Sequence, residues 1–230
     1  EDNYGFGLGP NAVRCVWAKE RSTVSGFTLT GGRTSDTTKT DNLDTFGGGV
    51  YSDSLSSARP VVDYCILSNN FARNGGAAMY VDLRRCQIVD NGASTASAAH
   101  TCAITGCFID RNRGTYTTLN VERLESTTIG GENRTADGSA YEVDAVARGG
   151  SDNFPIVNTI VCRGRVGSGS WFAFATNCVF NESFFGPITA SRLFATNCCN
   201  CVVTNLDAIG VAADGRLLAT SPAIDLGDAE

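Results

Sequence analysis

The side chains best suited to chemistry form a mixed set of arginines and acids between residues 84 and 125. Arg84, Arg85, Arg111, Arg113 and Arg123 are interspersed with Asp90, Asp110, Glu122 and Glu125. Charge-assisted hydrogen bonds from such a set could hold a substrate. Arg85, Asp110, Arg111, Arg113, Glu122 and Arg123 are the candidate substrate-binding residues. A solvated face of mixed charge has the same composition. The fold must therefore gather these residues before they count as a site. His100 is the only histidine, which removes histidine-rich zinc sites and His–His dyads. Asp36, Asp41 and Asp44 lie in a polar loop and are a calcium candidate, without the regular spacing of a dedicated calcium loop. No other cofactor and no catalytic set is expected.

Ten cysteines stand at 15, 65, 86, 102, 107, 162, 178, 198, 199 and 201. Most sit inside apolar runs, such as Tyr-Cys-Ile-Leu at 64–67 and Gly-Cys-Phe-Ile at 106–109. Buried cysteine behaves as a small hydrophobe. The run Cys198-Cys199-Asn200-Cys201 is the one thiol cluster that suggests metal, but no matching Cys-x-x-Cys pair stands opposite it. An isolated disulfide is the third reading.

Composition narrows the classes. The 230 residues are 42% hydrophobic and 18% charged, which excludes a disordered chain. No apolar stretch is long enough to span a membrane. The net charge of -6 argues against a nucleic-acid partner. The start, Glu1-Asp2-Asn3-Tyr4, does not read as a signal peptide, so the chain is expected to begin after processing or part-way along a longer protein.

The elements that position these residues come from a repeat. Cys65, Cys86 and Cys107 are 21 apart, and one more step reaches Thr128. Five residues after each anchor stands an asparagine: Asn70, Asn91, Asn112 and Asn133. Gly-Gly-Ala-Ala-Met-Tyr (75–80) lies over Ala-Ser-Ala-Ala-His-Thr (96–101), and Leu83 over Ile104. An earlier copy at 26–32 aligns with 64–70 across an insertion. A late pair, Phe-Ala-Thr-Asn-Cys at 174–178 and 194–198, is 20 apart.

Within each segment the apolar positions alternate with period two, which means strand. Short strands on a period near 21 residues predict an all-β, right-handed parallel β-helix. Cys65, Cys86 and Cys107 would then stack inside it, with Thr128 below them. The four asparagines would stack at a turn as an amide ladder. Ile66, Gln87, Phe108 and Ile129 would point outward, with Tyr64, Arg85, Gly106 and Thr127 just before the anchors. His100 takes the place of Met79 in the repeat, which marks it as structural. The whole chain, 1–230, reads as a single domain with loop insertions at 33–46 and 134–157 and a closing segment at 215–230.

Several stretches resemble a family. They are Val-Ser-Gly-Phe-Thr-Leu-Thr-Gly-Gly (24–32), Gly-Gly-Gly-Val-Tyr (47–51), Asn-Gly-Gly-Ala-Ala-Met-Tyr (74–80), Asn-Thr-Ile-Val (158–161) and Gly-Arg-Leu-Leu-Ala-Thr-Ser-Pro-Ala-Ile-Asp-Leu-Gly-Asp (215–228). The chain is similar to bacterial secreted right-handed parallel β-helix repeat proteins. These have a pectin-lyase-like fold and a repeat style like that of polymorphic outer-membrane autotransporter proteins. The resemblance implies a secreted or cell-surface location, and a glycan or a host or cell-surface protein as partner.

The same resemblance raises polysaccharide lyase or glycoside hydrolase activity. Lyases of this fold use an Arg or Lys base with calcium. Only Lys19 and Lys39 exist, so an arginine would serve. Hydrolases need paired carboxylates at a set separation. Regular repetition without a concentrated catalytic set favours a non-catalytic scaffold, adhesin or glycan-interacting module. Self-association, through an open end of the stack or laterally, is the remaining expectation.

Overall fold

The computed structural model describes residues 11–35, 43–54, 58–115, 117–130, 133–135, 142–143, 153–162, 165–166, 172–176, 178–181, 198–199 and 202–204. The fold is all-β, built of short parallel strands in curled sheets. Among the described residues the only helix is a 3-10 turn at Leu43–Thr45.

Four parallel sheets are present among the described residues: A (eleven strands), B (eight), C (four) and a two-stranded sheet of Glu142–Val143 with Arg165–Val166. Between residues 61 and 135 the chain visits A, B and C in one cyclic order. Val61–Asp63 lies in sheet A, Ile66–Ser68 in B and Phe71–Asn74 in C. The next circuit is Ala78–Met79 with Asp82–Arg84 in A, then Gln87–Val89 in B and Gly92–Thr95 in C. Ala99–Thr105, Phe108–Asp110 and Arg113–Gly114 follow, then Leu119–Glu125, Thr128–Ile129 and Arg134–Thr135. This order is compatible with a parallel solenoid.

Alternation sorts the side chains. In sheet A, Val62, Leu83, Ile104, Leu124 and Ile156 form one buried column. In sheet B, Leu67, Ile88, Ile109, Ile129 and Val161 form another. Each such side chain contributes about 1.5–3 kcal/mol on leaving water. The 38-residue step between the copies at 26–32 and 64–70 is also present, as Thr28 pairs with Ile66.

The turns are as regular as the strands. Gly26, Tyr64, Arg85, Gly106, Ser126 and Asn158 all take positive φ just before sheet B. Gly31, Asn69, Asp90 and Arg111 do so just after it. A third set, Gly47, Gly75 and Ala96, leads into sheet A. A left-handed residue bends the chain sharply from one sheet toward the next, at a cost of about 1–2 kcal/mol when it carries a Cβ.

Two side-chain columns stabilise these turns. The Nδ2 of Asn70 donates to Oδ1 of Asn91 at 3.0 Å, Asn91 to Asn112 at 3.0 Å and Asn112 to Asn133 at 3.1 Å. Each of those oxygens also accepts the backbone N–H of the asparagine one rung earlier. Each Nδ2 reaches a strand carbonyl as well, from Leu29, Leu67, Ile88 or Ile109. The four amides are thus buried with partners on both sides.

The second column is Cys65, Cys86, Cys107, Thr127, Thr159 and Cys178. In the first five, the thiol or hydroxyl donates to the carbonyl two residues back: Asp63, Arg84, Thr105, Glu125 and Val157. Cys102 does the same to His100, after the left-handed Thr101. The column therefore selects a small side chain with one donor, which both Cys and Thr supply. Cys15, Cys65, Cys86, Cys102, Cys107 and Cys178 are free thiols.

The structure corrects several sequence expectations. Thr127, not Thr128, continues the cysteine column, because Phe108 pairs with Thr128 at a step of 20. Ser126 rather than Thr127 accordingly takes the left-handed turn position. Ile129 is buried in sheet B instead of pointing outward. Asn133 regains the ladder because six residues, not five, separate it from the column. The late repeat pairs Ala175 with Cys198, a step of 23 rather than 20. The stretch 134–157 begins and ends in strands, Arg134–Thr135 and Asn153–Val157, with Glu142–Val143 between them. The closing segment at 215–230 lies outside the described residues.

Candidate functional site

The outer face of sheet A carries the densest set of aromatic and charged groups. Strand register places Trp17, Tyr51, Met79, His100 and Asn120 in one column. Their neighbours Val50, Ala78, Ala99 and Leu119 belong to the core, so this column faces away from it. Trp17 meets Tyr51 edge-on at 5.5 Å, and Tyr51 meets Tyr80 at 6.3 Å. Trp17 is 46% exposed, whereas Tyr51 is buried. The Arg14 guanidinium lies 4.7 Å from the Tyr51 ring centre and 5.3 Å from that of Trp17. It also donates to the Leu43 carbonyl at 2.7 Å and lies 3.7 Å from Asp44.

Beside the aromatics lies an ion pair. Arg59 donates to both oxygens of Glu122, at 2.7 and 2.9 Å. Both side chains are largely buried. Arg59, Tyr80, Thr101 and Glu122 recur every 21 residues, so they fall on neighbouring rungs. Tyr80 and Thr101 are left-handed residues at the bend that divides sheet A. Burial pushes the Tyr80 hydroxyl above its usual range, and nearby Arg59 opposes the rise. Burial also raises the Asp82 carboxyl; Arg59 and Arg84 pull it back, and Glu122 adds to the rise. His100 sits beside this set with Nδ1 at 2.7 Å from the Thr101 hydroxyl. Desolvation lowers its pKa to about 4, so it is neutral at pH 7.

The six sequence candidates are placed in separate regions. Arg85 sits at the A-to-B turn, paired with Asp63 at 2.9 Å and stacked 4.4 Å over Tyr64. Arg111 sits at the B-to-C turn, paired with Asp90 at 3.0 and 3.1 Å and 3.5 Å from Asp110. Arg113 is exposed on sheet C. Glu122 and Arg123 lie on sheet A, where Glu122 holds Arg59 and Arg123 pairs with Glu125. Sequence reasoning missed Arg14, Trp17, Tyr51, Arg59, Tyr80 and Asp82. The 21-residue spacing that links Arg59 and Tyr80 to Glu122 was the signal that could have found two of them.

Among the described residues, no group of three His, Cys, Asp or Glu side chains could hold a metal. Asp36 and Asp41 of the calcium candidate lie outside them, as does Cys201 of the thiol cluster. Among the same residues no helix is long and apolar enough to cross a membrane. What the arrangement can do is bind: aromatic rings offer apolar faces, and guanidinium and carboxylate groups offer directed hydrogen bonds. No family model matches the chain, and neither a curated protein nor a solved structure matches it.

Proposed function

We propose that the chain is a right-handed parallel β-helix, pectin-lyase-like in fold, that serves as a non-catalytic extracellular or cell-surface module binding glycan. The observation that carries the reading is the cluster of aromatic rings at sheet A, Trp17, Tyr51 and Tyr80, flanked by Arg14 and the Arg59–Glu122 pair. Sugar rings stack on exposed aromatic faces while their hydroxyls take hydrogen bonds from charged side chains. Trp17 is the accessible member. A glycan array probed with the wild-type chain and with Trp17→Ala tests this. Binding that Trp17→Ala removes supports it. No bound glycan, or equal binding by both proteins, sinks it.

One observation favours a catalytic reading. Asp82 and Glu122 lie close enough for Glu122 to raise the Asp82 carboxyl, while Glu122 itself is held by Arg59. Two carboxyls in unlike environments are what a glycoside hydrolase needs. This reading predicts turnover of a glycan in a broad panel, with and without calcium, that Asp82→Asn abolishes. Turnover that survives Asp82→Asn would count against it.

A further inference from the structure

The cysteine column holds three thiols on consecutive rungs. Gln87 pairs with Ile66 on one side and Phe108 on the other. Cys65, Cys86 and Cys107 each stand one residue earlier, so they are neighbours in turn. Adjacent rungs are about 4.8 Å apart. That spacing falls within the Cα separation that disulfides span, about 4.4–6.8 Å. All three side chains belong to the core. Thr127 and Thr159 make the same carbonyl hydrogen bond farther along, so the fold does not require sulfur in this column. A run of three thiols adds a chemistry that threonine lacks.

The contacts single out one pair. The Cys107 sulfur leans toward the preceding rung and accepts the Cys86 backbone N–H at 3.4 Å. The Cys65 thiol reaches two carbonyls instead, Asp63 at 3.3 Å and Val24 at 3.6 Å. The Cys86 thiol reaches the carbonyls of Arg84 at 3.1 Å and Val62 at 3.4 Å. A thiol is a weak donor, so a bond between sulfurs would give up little there. Contact with the Cys107 thiol holds Cys86 below the usual thiol range; the same contact, with burial, raises Cys107. Cys86 is therefore the readier thiolate, and Cys107 keeps its proton. Cys102 lies on sheet A, fully buried, and desolvation pushes it up to about 12. Cys86 and Cys107 are 2% and 3% exposed, so the site suits a small oxidant.

We propose that Cys86 and Cys107 form an oxidation site, which hydrogen peroxide closes into a disulfide stapling two neighbouring rungs. The Cys86 thiolate attacks one peroxide oxygen. The O–O bond breaks, hydroxide leaves and takes up the proton that Cys86 released, and Cys86 becomes a sulfenic acid. The Cys107 sulfur then attacks the Cys86 sulfur. The S–O bond breaks, and the hydroxide leaves with the Cys107 proton as water. In sum two thiols are oxidised to one disulfide, and one peroxide is reduced to two waters. The bond ties the rung of Gln87–Val89 to that of Phe108–Asp110 and constrains the unfolded chain. It uses neither the aromatic rings of sheet A nor the Arg59–Glu122 pair, so it stands independently of glycan binding.

Peptide mapping of the whole chain is the test. The reduced, folded protein is treated with hydrogen peroxide, its remaining thiols are alkylated, and the chain is cut before each aspartate. Residues 82–89 then carry Cys86, and residues 90–109 carry Cys102 and Cys107. The two peptides are expected as one species, lighter by two hydrogens than their sum, which a reductant separates. Cys86→Thr and Cys107→Thr, which copy Thr127, should abolish the link, whereas Cys65→Thr and Cys102→Thr should keep it. Oxidised wild type should unfold at higher urea than reduced wild type, and Cys107→Thr should show no such shift. Separate peptides after peroxide treatment overturn the proposal. So does a link that survives Cys107→Thr, or one that joins Cys86 to Cys65. A urea midpoint that oxidation leaves unchanged overturns the staple.

Discussion

Arg59 and Glu122 are 63 residues apart and share two hydrogen bonds of 2.7 and 2.9 Å. Three steps of 21 separate them, so one side-chain pair spans the rungs of Tyr80 and Thr101. Both partners are largely removed from water. Removing one leaves the other buried without a counter-charge, which is the costly way to break such a pair. Glu122→Gln is expected to lower stability by about 2 kcal/mol. The double change Arg59→Leu, Glu122→Leu should cost less than the single one. Urea unfolding midpoints of the three proteins check this.

His100 sets a pH dependence. Its pKa falls to about 4 in the folded chain, against an ordinary 6.5. Between these values the unfolded chain binds the proton and the folded chain does not. Stability therefore falls as pH drops from about 6.5 to 4, by up to about 3 kcal/mol. Asp82 has its carboxyl raised, so its contribution runs the other way, lost as pH rises through the folded value. His100→Met copies the residue on the preceding rung, Met79. It should flatten the fall in melting temperature between pH 6.5 and 4; an unchanged slope would locate the effect elsewhere.

The left-handed turns predict opposite effects for two similar changes. Gly106 has φ +66°, and a Cβ there would make only ordinary contact with Arg85, at 3.5 Å from its Cγ. Gly106→Ala is expected to cost about 1 kcal/mol from the backbone alone. Ser126 holds the same turn position with φ +48° and is exposed. Ser126→Gly should be neutral or stabilising by up to about 1 kcal/mol. Thermal unfolding of both variants decides it.

The cysteine column predicts which replacements are tolerated. Thr127 and Thr159 already do what the thiols do. Cys107→Thr should therefore keep stability within about 1 kcal/mol of wild type. Cys107→Val has the same shape without the donor, and should lose about 1 kcal/mol more. Equal denaturation midpoints for the two would remove the hydrogen bond from the explanation.

Much of this was legible because the repeat is constant where it matters most. The asparagine column, the stack of Cys65, Cys86 and Cys107, and the pairing of Leu83 with Ile104 follow from one period. Ile129 departs from that period because its rung has 20 residues. A deletion before Thr127 and an insertion before Asn133 cancel, so the sequence distance between asparagines conceals both. The late Phe-Ala-Thr-Asn-Cys copies misled for a related reason. Backbone pairing there follows a step of 23, and identical words fall out of register. The candidate site was less legible, since it combines Arg59 from one rung with Glu122 from another three steps on. Charges near each other in sequence, such as Arg111 and Glu122, end on different faces.

The same brace bears on how the molecule would yield to force. Backbone hydrogen bonds join each strand to the rungs above and below, so tension along the stacking direction loads them one rung at a time. Such a chain peels like a zip, at low force and in small steps. The two bonds between Arg59 and Glu122 tie three successive steps together and would have to fail first. Pulled from its N-terminal side, the segment from residue 59 to residue 122 would resist as a block and then give way at once, a mechanical fuse within an otherwise gradual unravelling.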